Sequence, residues 1–129
     1  MYKYGYAWEK FGRAIFTLAV SAGDIRKRLL LVFQGDLLCI TPEHLPKSTR
    51  NDYSWAVERI TKHDESYKGQ RKHLHAITSG QAKWDYLLPG IVEASINRMR
   101  SSTAIKIAVI IYRTWEVLEE EFKSKKSIE

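Results

Sequence analysis

The segment Ser102–Phe122, STAIKIAVIIYRTWEVLEEEF, decides the fold. Ala104, Ala108, Ile111, Trp115, Leu118 and Phe122 recur at alternating steps of four and three, the spacing of one face of an α-helix. Taken alone, the β-branched run IKIAVIIY would suit a strand. The stepping continues through Glu116–Phe122 with no Gly, Pro or Asn, well past the roughly five or six residues of an average strand, so the segment reads as a helix. Ile105, Ile107, Val109 and Ile110 make the rest of the cylinder apolar, and the helix is therefore expected to be buried on most sides. Glu119, Glu120 and Glu121, followed by Lys123, Lys125 and Lys126, read as its solvated end, the lysines complementing the carbonyl end of the helix dipole.

Upstream, Tyr4, Trp8, Phe11, Ile15, Leu18 and Ala22 form a second stripe of the same period. Ser21-Ala22-Gly23 ends it, and Asp24 is placed to cap a following helix that turns Ile25, Leu29, Val32, Phe33, Leu37 and Ile40 inward. Leu29–Phe33 could also be a buried strand, but continuity with Leu37 and Leu38 favours helix. Thr41-Pro42-Glu43 has the form of a short helix start, which Pro46 is expected to stop. A further helix is predicted from about Asn51 to Thr61, with Tyr53, Ala56, Val57 and Ile60 inward. Another start is read at Leu87-Leu88-Pro89-Gly90, leading to Val92, Ile96 and Met99, with a break at Ser101-Ser102-Thr103. The expected architecture is one all-α domain over residues 1–129, a compact bundle of about five helices around a central apolar C-terminal helix.

Composition agrees. A chain of 129 residues, 44% hydrophobic with 12% aromatic, is large enough for one core and too apolar for global disorder. Seven Gly and three Pro exclude collagenous and low-complexity classes. The single Cys39 cannot form an intramolecular disulfide, and in the run Leu37-Leu38-Cys39-Ile40 it reads as a small core residue rather than a nucleophile. The start MYKYGYAWEKFGRAIF carries Glu9, Lys10 and Arg13, so no signal core is expected, and no window approaches a membrane span. A cytoplasmic protein with no membrane association follows as the expectation.

From His63 to Gly80, HDESYKGQRKHLHAITSG breaks the periodicity and reads as a long polar loop, a common place for function. Two chemistries compete for it, and a third rests on residues elsewhere. Lys68, Arg71 and Lys72, with Trp84 nearby in sequence, combine phosphate-seeking charge with a stacking face and suit nucleic acid, in keeping with the net charge of +6. His63, His73 and His75 could instead serve a small histidine- or metal-dependent phosphodiester hydrolase, since imidazole both moves protons and binds metals. No recognised metal-ligand spacing, phosphate loop or nucleophile motif accompanies them, so no metal or cofactor is assigned and the bland reading is a solvated basic surface.

The third chemistry is partner binding. Four Trp and seven Tyr are many for one small core, and aromatic residues dominate interface hot spots. Trp8, Trp84 and Trp115 fit apolar stripes and are expected inside, whereas Tyr2, Tyr4, Tyr6 and Trp55 are harder to bury. The three tyrosines could complete a homodimer surface. The sequence thus favours a non-enzymatic intracellular interaction protein, with a protein or a second copy as partner and nucleic acid contacted through the basic loop, over the hydrolase.

Overall fold

The computed structural model describes residues 2–61 and 92–128, with side chains as far as residue 124. The long loop expected from His63 to Gly80 and the helix start at Leu87–Gly90 lie outside the described residues. Four α-helices, α1 (Gly5–Val20), α2 (Ile25–Val32), α3 (Lys47–Ile60) and α4 (Ser101–Ile128), account for most of the rest. Among the described residues there is no strand, so both strand candidates, Leu29–Phe33 and Ile105–Tyr112, are helical. A helical stretch across 92–97 buries Val92 and Ile96, and the following turn buries Met99.

α1 turns Ala7, Phe11 and Ala14 fully inward, with Tyr4, Trp8, Ile15 and Leu18 half-buried beside them. Ser21 closes the helix in extended backbone, and Gly23, at φ 100°, makes the left-handed bend that sends the chain back. Asp24 then caps α2, its carboxylate accepting from the Lys27 N–H at 3.1 Å. That bond, more than the neighbouring Arg26, holds the Asp24 carboxyl below its ordinary range. Arg28 secures the corner: its side chain donates to the Gly23 carbonyl at 2.9 Å and to the Leu18 carbonyl of α1 at 3.3 Å.

Past Val32 the backbone widens into a π-helical turn over Phe33–Leu37. The inward set survives this change: Leu29, Val32, Phe33, Leu37 and Ile40 are all buried. Cys39 is exposed, against the expectation of a core thiol, because Leu37 and Ile40 take the inward positions and a residue between them at that spacing faces out. Tyr53 of α3 locks this segment, its hydroxyl lying 2.9 Å from the Ile40 carbonyl and 3.1 Å from that of Leu37. Complete burial pushes that hydroxyl well above the ordinary tyrosine pKa.

Thr41 opens a 3₁₀ turn, Pro42–His44, and its own N–H donates to Nδ1 of His44 at 3.0 Å. Pro46 does stop this turn, but it also starts α3 four residues before the expected Asn51. The Pro46 carbonyl accepts from both the Thr49 N–H and the Thr49 hydroxyl, at 3.0 and 2.8 Å. Tyr53, Ala56 and Ile60 are the buried stripe and Val57 flanks it.

α4 packs against α1, α2 and α3 and is the central element. Its start differs from the expected break: Ser101 to Thr103 form its first turn, the Ala104 N–H bonding the Arg100 carbonyl at 3.0 Å. Ala104, Ile107, Ile111, Thr114 and Leu118 face inward, and the Thr114 hydroxyl returns to the Ile110 carbonyl at 2.7 Å. The helix is not buried on most sides. Ile105, Val109 and Tyr112 are exposed, because the three helices that cover α4 all lie on its other side.

Candidate interaction surface

α1 and α4 are clasped at one end by aromatic rings. Trp8 stacks on Phe122 with centroids 4.4 Å apart and planes at 12°, and its indole N–H donates to the Glu119 carboxylate at 3.1 Å. The Tyr2 hydroxyl donates to the Leu118 carbonyl at 2.9 Å, and the Tyr2 ring meets Phe122 edge-on at 5.5 Å. Further along, Gly12 comes close to Trp115: a Cβ added there would lie 3.7 Å from the indole nitrogen. Early residues of α1 meet late residues of α4, so the two helices run antiparallel.

Between them, with the π-helical turn as a third wall, runs an open groove of about 610 Å³. Trp8, Gly12, Phe16 and Trp115 supply its apolar lining, and Glu9, Arg13, Asp36 and Glu119 its charge. Glu9 and Arg13 pair at 3.1 Å, one helical turn apart. Glu119 accepts the Trp8 indole and lies 3.8 Å from Lys123. Asp36 is half-buried, with no hydrogen bond or ion pair among the described residues.

Apolar surface spreads from this groove in both directions. Phe16 is 66% exposed, and Val20, one turn along α1, is 61% exposed. On α4 the Trp115 ring lies 6.1 Å from Tyr112, which begins the exposed stripe Tyr112, Val109, Ile105. Scattered exposed apolar residues are ordinary, but a patch continuous across two helices is the usual mark of a binding surface.

The candidate residues expected from sequence separate into two groups. Lys68, Arg71, Lys72, Trp84, His63, His73 and His75 all lie outside the described residues. Of the three tyrosines, Tyr2 and Tyr4 stand together, centroids 5.9 Å apart, within the clasp against α4. Burial, reinforced by Glu121, pushes the Tyr2 hydroxyl up to about 12. Tyr6 points elsewhere: it is exposed, meets the His44 ring at 5.3 Å and has the Lys10 ammonium 5.8 Å from its centroid. The three rings therefore do not share one face.

Trp8 and Trp115, expected inside, are only half-buried because both border the groove. Trp55 is half-buried with the Arg59 guanidinium 4.9 Å and the Lys106 ammonium 5.4 Å from its centroid, a cation–π contact between α3 and α4. Phe16, Val20, Ile105, Val109 and Tyr112 were not singled out by sequence as surface residues. For the three residues of α4 the signal was present in the apolar side chains that the helix carries around its whole circumference, more than the described neighbouring helices cover.

Among the described residues no group of three or more His, Cys, Asp or Glu side chains is disposed to hold a metal ion, and no helix is long and apolar enough to cross a membrane. Compared with protein-family models, with curated proteins and with solved structures, the chain matches none.

Proposed function

We propose that this chain is a non-enzymatic, cytoplasmic interaction protein that engages another protein through the outer face of α1 and α4. The observation that supports the reading is the continuous apolar strip from Phe16 and Val20 past Trp115 to Tyr112, Val109 and Ile105. Stable interfaces place aromatic and aliphatic anchors at their centre and polar groups at their rim, and this strip has both. Its exposed side chains contribute little to the fold, so their apolar character has no use within the bundle.

The test removes the strip without touching the core. The variant Ile105→Ser/Val109→Ser/Tyr112→Ser is expected to melt within a few degrees of the parent, since all three residues are exposed. Expressed at native level in the source cells and recovered by an affinity tag, the parent should retain specific protein partners that the variant loses. Identical recovered proteins would refute the reading. In parallel, labelled single-stranded and duplex nucleic acid should bind weakly to both proteins. Tight, salt-sensitive binding, reduced when Lys68, Arg71 and Lys72 become Ala, would replace the protein partner with nucleic acid.

A further inference from the structure

We infer that the α1–α4 groove takes a basic amphipathic helix from the partner protein. The inference rests on the interaction reading and specifies the chemistry of the partner. The groove carries an unbalanced carboxylate on a basic molecule: of its three acids Glu9 pairs with Arg13 and Glu119 with Lys123, which leaves Asp36 over, while the chain as a whole carries +6. A phosphate backbone is repelled from such a surface, and lysine or arginine side chains are drawn to it. Asp36, half-buried at the wall and without a partner among the described residues, is the carboxylate most in need of a cation.

The aromatic lining serves the same residues. A lysine or arginine can lay its methylene stem across Trp115 or Phe16 while its charged head reaches Asp36 or Glu119. Apolar residues on the same face of the incoming helix would fill the trough between those rings. The groove follows α1 from Trp8 to Thr17, about 14 Å at 1.5 Å per residue, which is room for two to three helical turns. An amphipathic helix laid in a groove and read by anchors three and four residues apart is an established mode of peptide recognition.

The probe is a fluorescein-labelled, 14-residue Leu/Lys amphipathic peptide, compared with a Leu/Gln peptide of identical leucine spacing. Fluorescence anisotropy with the full chain at low salt should show the Leu/Lys peptide binding about ten-fold more tightly, an advantage that shrinks as salt screens the carboxylates. Asp36→Asn should weaken the Leu/Lys peptide about three-fold and leave the Leu/Gln peptide unchanged. Phe16→Ser should weaken both about ten-fold. Asp52→Asn, an exposed carboxylate on α3, should change neither. With isotope-labelled parent protein, the Leu/Lys peptide should shift the indole N–H resonances of Trp8 and Trp115 and not that of Trp55, a readout that does not depend on any variant folding.

Equal affinity of the two peptides overturns the inference, as does an Asp52→Asn effect as large as that of Asp36→Asn, or movement of the Trp55 resonance alone. Absence of peptide binding also overturns it, while recovery of partners by the parent and not by the Ile105/Val109/Tyr112 variant would leave the broader interaction reading standing.

Discussion

Replacing Tyr53 by Phe removes one oxygen from a fully buried polar contact between α3 and the end of the π-helical turn. The hydroxyl sits with its residue 1% exposed, 2.9 Å from the Ile40 carbonyl and 3.1 Å from the Leu37 carbonyl. The Leu37 carbonyl also accepts from the Ile40 N–H at 3.1 Å, so it keeps a partner in the variant. The Ile40 carbonyl has no other partner among the described residues. One buried acceptor left unpaired costs about 1–3 kcal/mol. For a chain of this length the unfolding entropy is about 0.27 kcal/mol per degree, so Tm should fall by about 4–11 °C in a calorimetric or circular-dichroism melt. The ring itself stays, 5.7 Å from Phe11, and the helical signal at low temperature should be unchanged. Amide exchange should accelerate first around residues 37–40, where the chain leaves the π-helical turn. A Tm within 1 °C of the parent would refute the argument and mean that water or backbone adjustment satisfies Ile40 without Tyr53.

Urea unfolding should find Ile111→Ala less stable by about 2–5 kcal/mol and Ile105→Ala within about 0.5 kcal/mol of the parent, because the first residue is 1% and the second 53% exposed. Equal effects would show that α4 is rotated from the orientation described. Gly12→Ala should stabilise by about 0.5–1 kcal/mol, since its Cβ meets only ordinary contact in mid-helix. Gly23→Ala, forced into φ 100°, should destabilise by more than that, and thermal melts of the pair would expose an error if the signs agreed. The raised hydroxyls of Tyr2 and Tyr53 contribute stability that is complete below pH 10. It is lost as pH climbs above 10, through about 12 for Tyr2 and beyond that for Tyr53, where unfolding becomes the easier way to ionise them. Absorbance at 295 nm during alkaline titration should show these two tyrosines ionising late and together with loss of helix, and an independent, simple titration of all seven would contradict the burial of both.

Where apolar residues alternate with polar ones at helical spacing, the fold was legible in detail. The set Leu29, Val32, Phe33, Leu37 and Ile40 follows directly from period, whereas in α1 the expected stripe is centred to one side: beside Phe11 the fully buried residues are Ala7 and Ala14, Tyr4, Trp8, Ile15 and Leu18 are half-buried, and Ala22 is exposed. The π-helical turn did not show, because shifting the backbone by a fraction of a turn leaves the identity of the inward residues intact and alters only what lies between them, Cys39 included. The start of α3 was hidden by its composition: Lys47, Ser48, Arg50 and Asn51 carry no apolar signal, and a proline can end one turn while fixing the entry to the next. The groove was not legible for a different reason. Its walls come from α1, the π-helical turn and α4, and no spacing within any one of them brings Trp8, Asp36 and Trp115 to the same place. The clasp rings at Tyr2 and Tyr4 read outward from sequence alone, since nothing local indicates that Phe122 and Leu118 await Tyr2.

That clasp joins residues more than a hundred positions apart, and this has a bearing on how the chain comes off the ribosome. α1 is complete at Val20, but the helix that covers its apolar face does not begin until Ser101. At about 5–20 residues per second of synthesis, Trp8 and Tyr2 stay without Phe122 and Leu118 for about 5–20 seconds after α1 is made, a time in which an amphipathic helix can find a chaperone, a membrane surface or another nascent copy. The bundle cannot close until α4 has been made, and a translational pause anywhere between Val20 and Ser101 would lengthen that exposure.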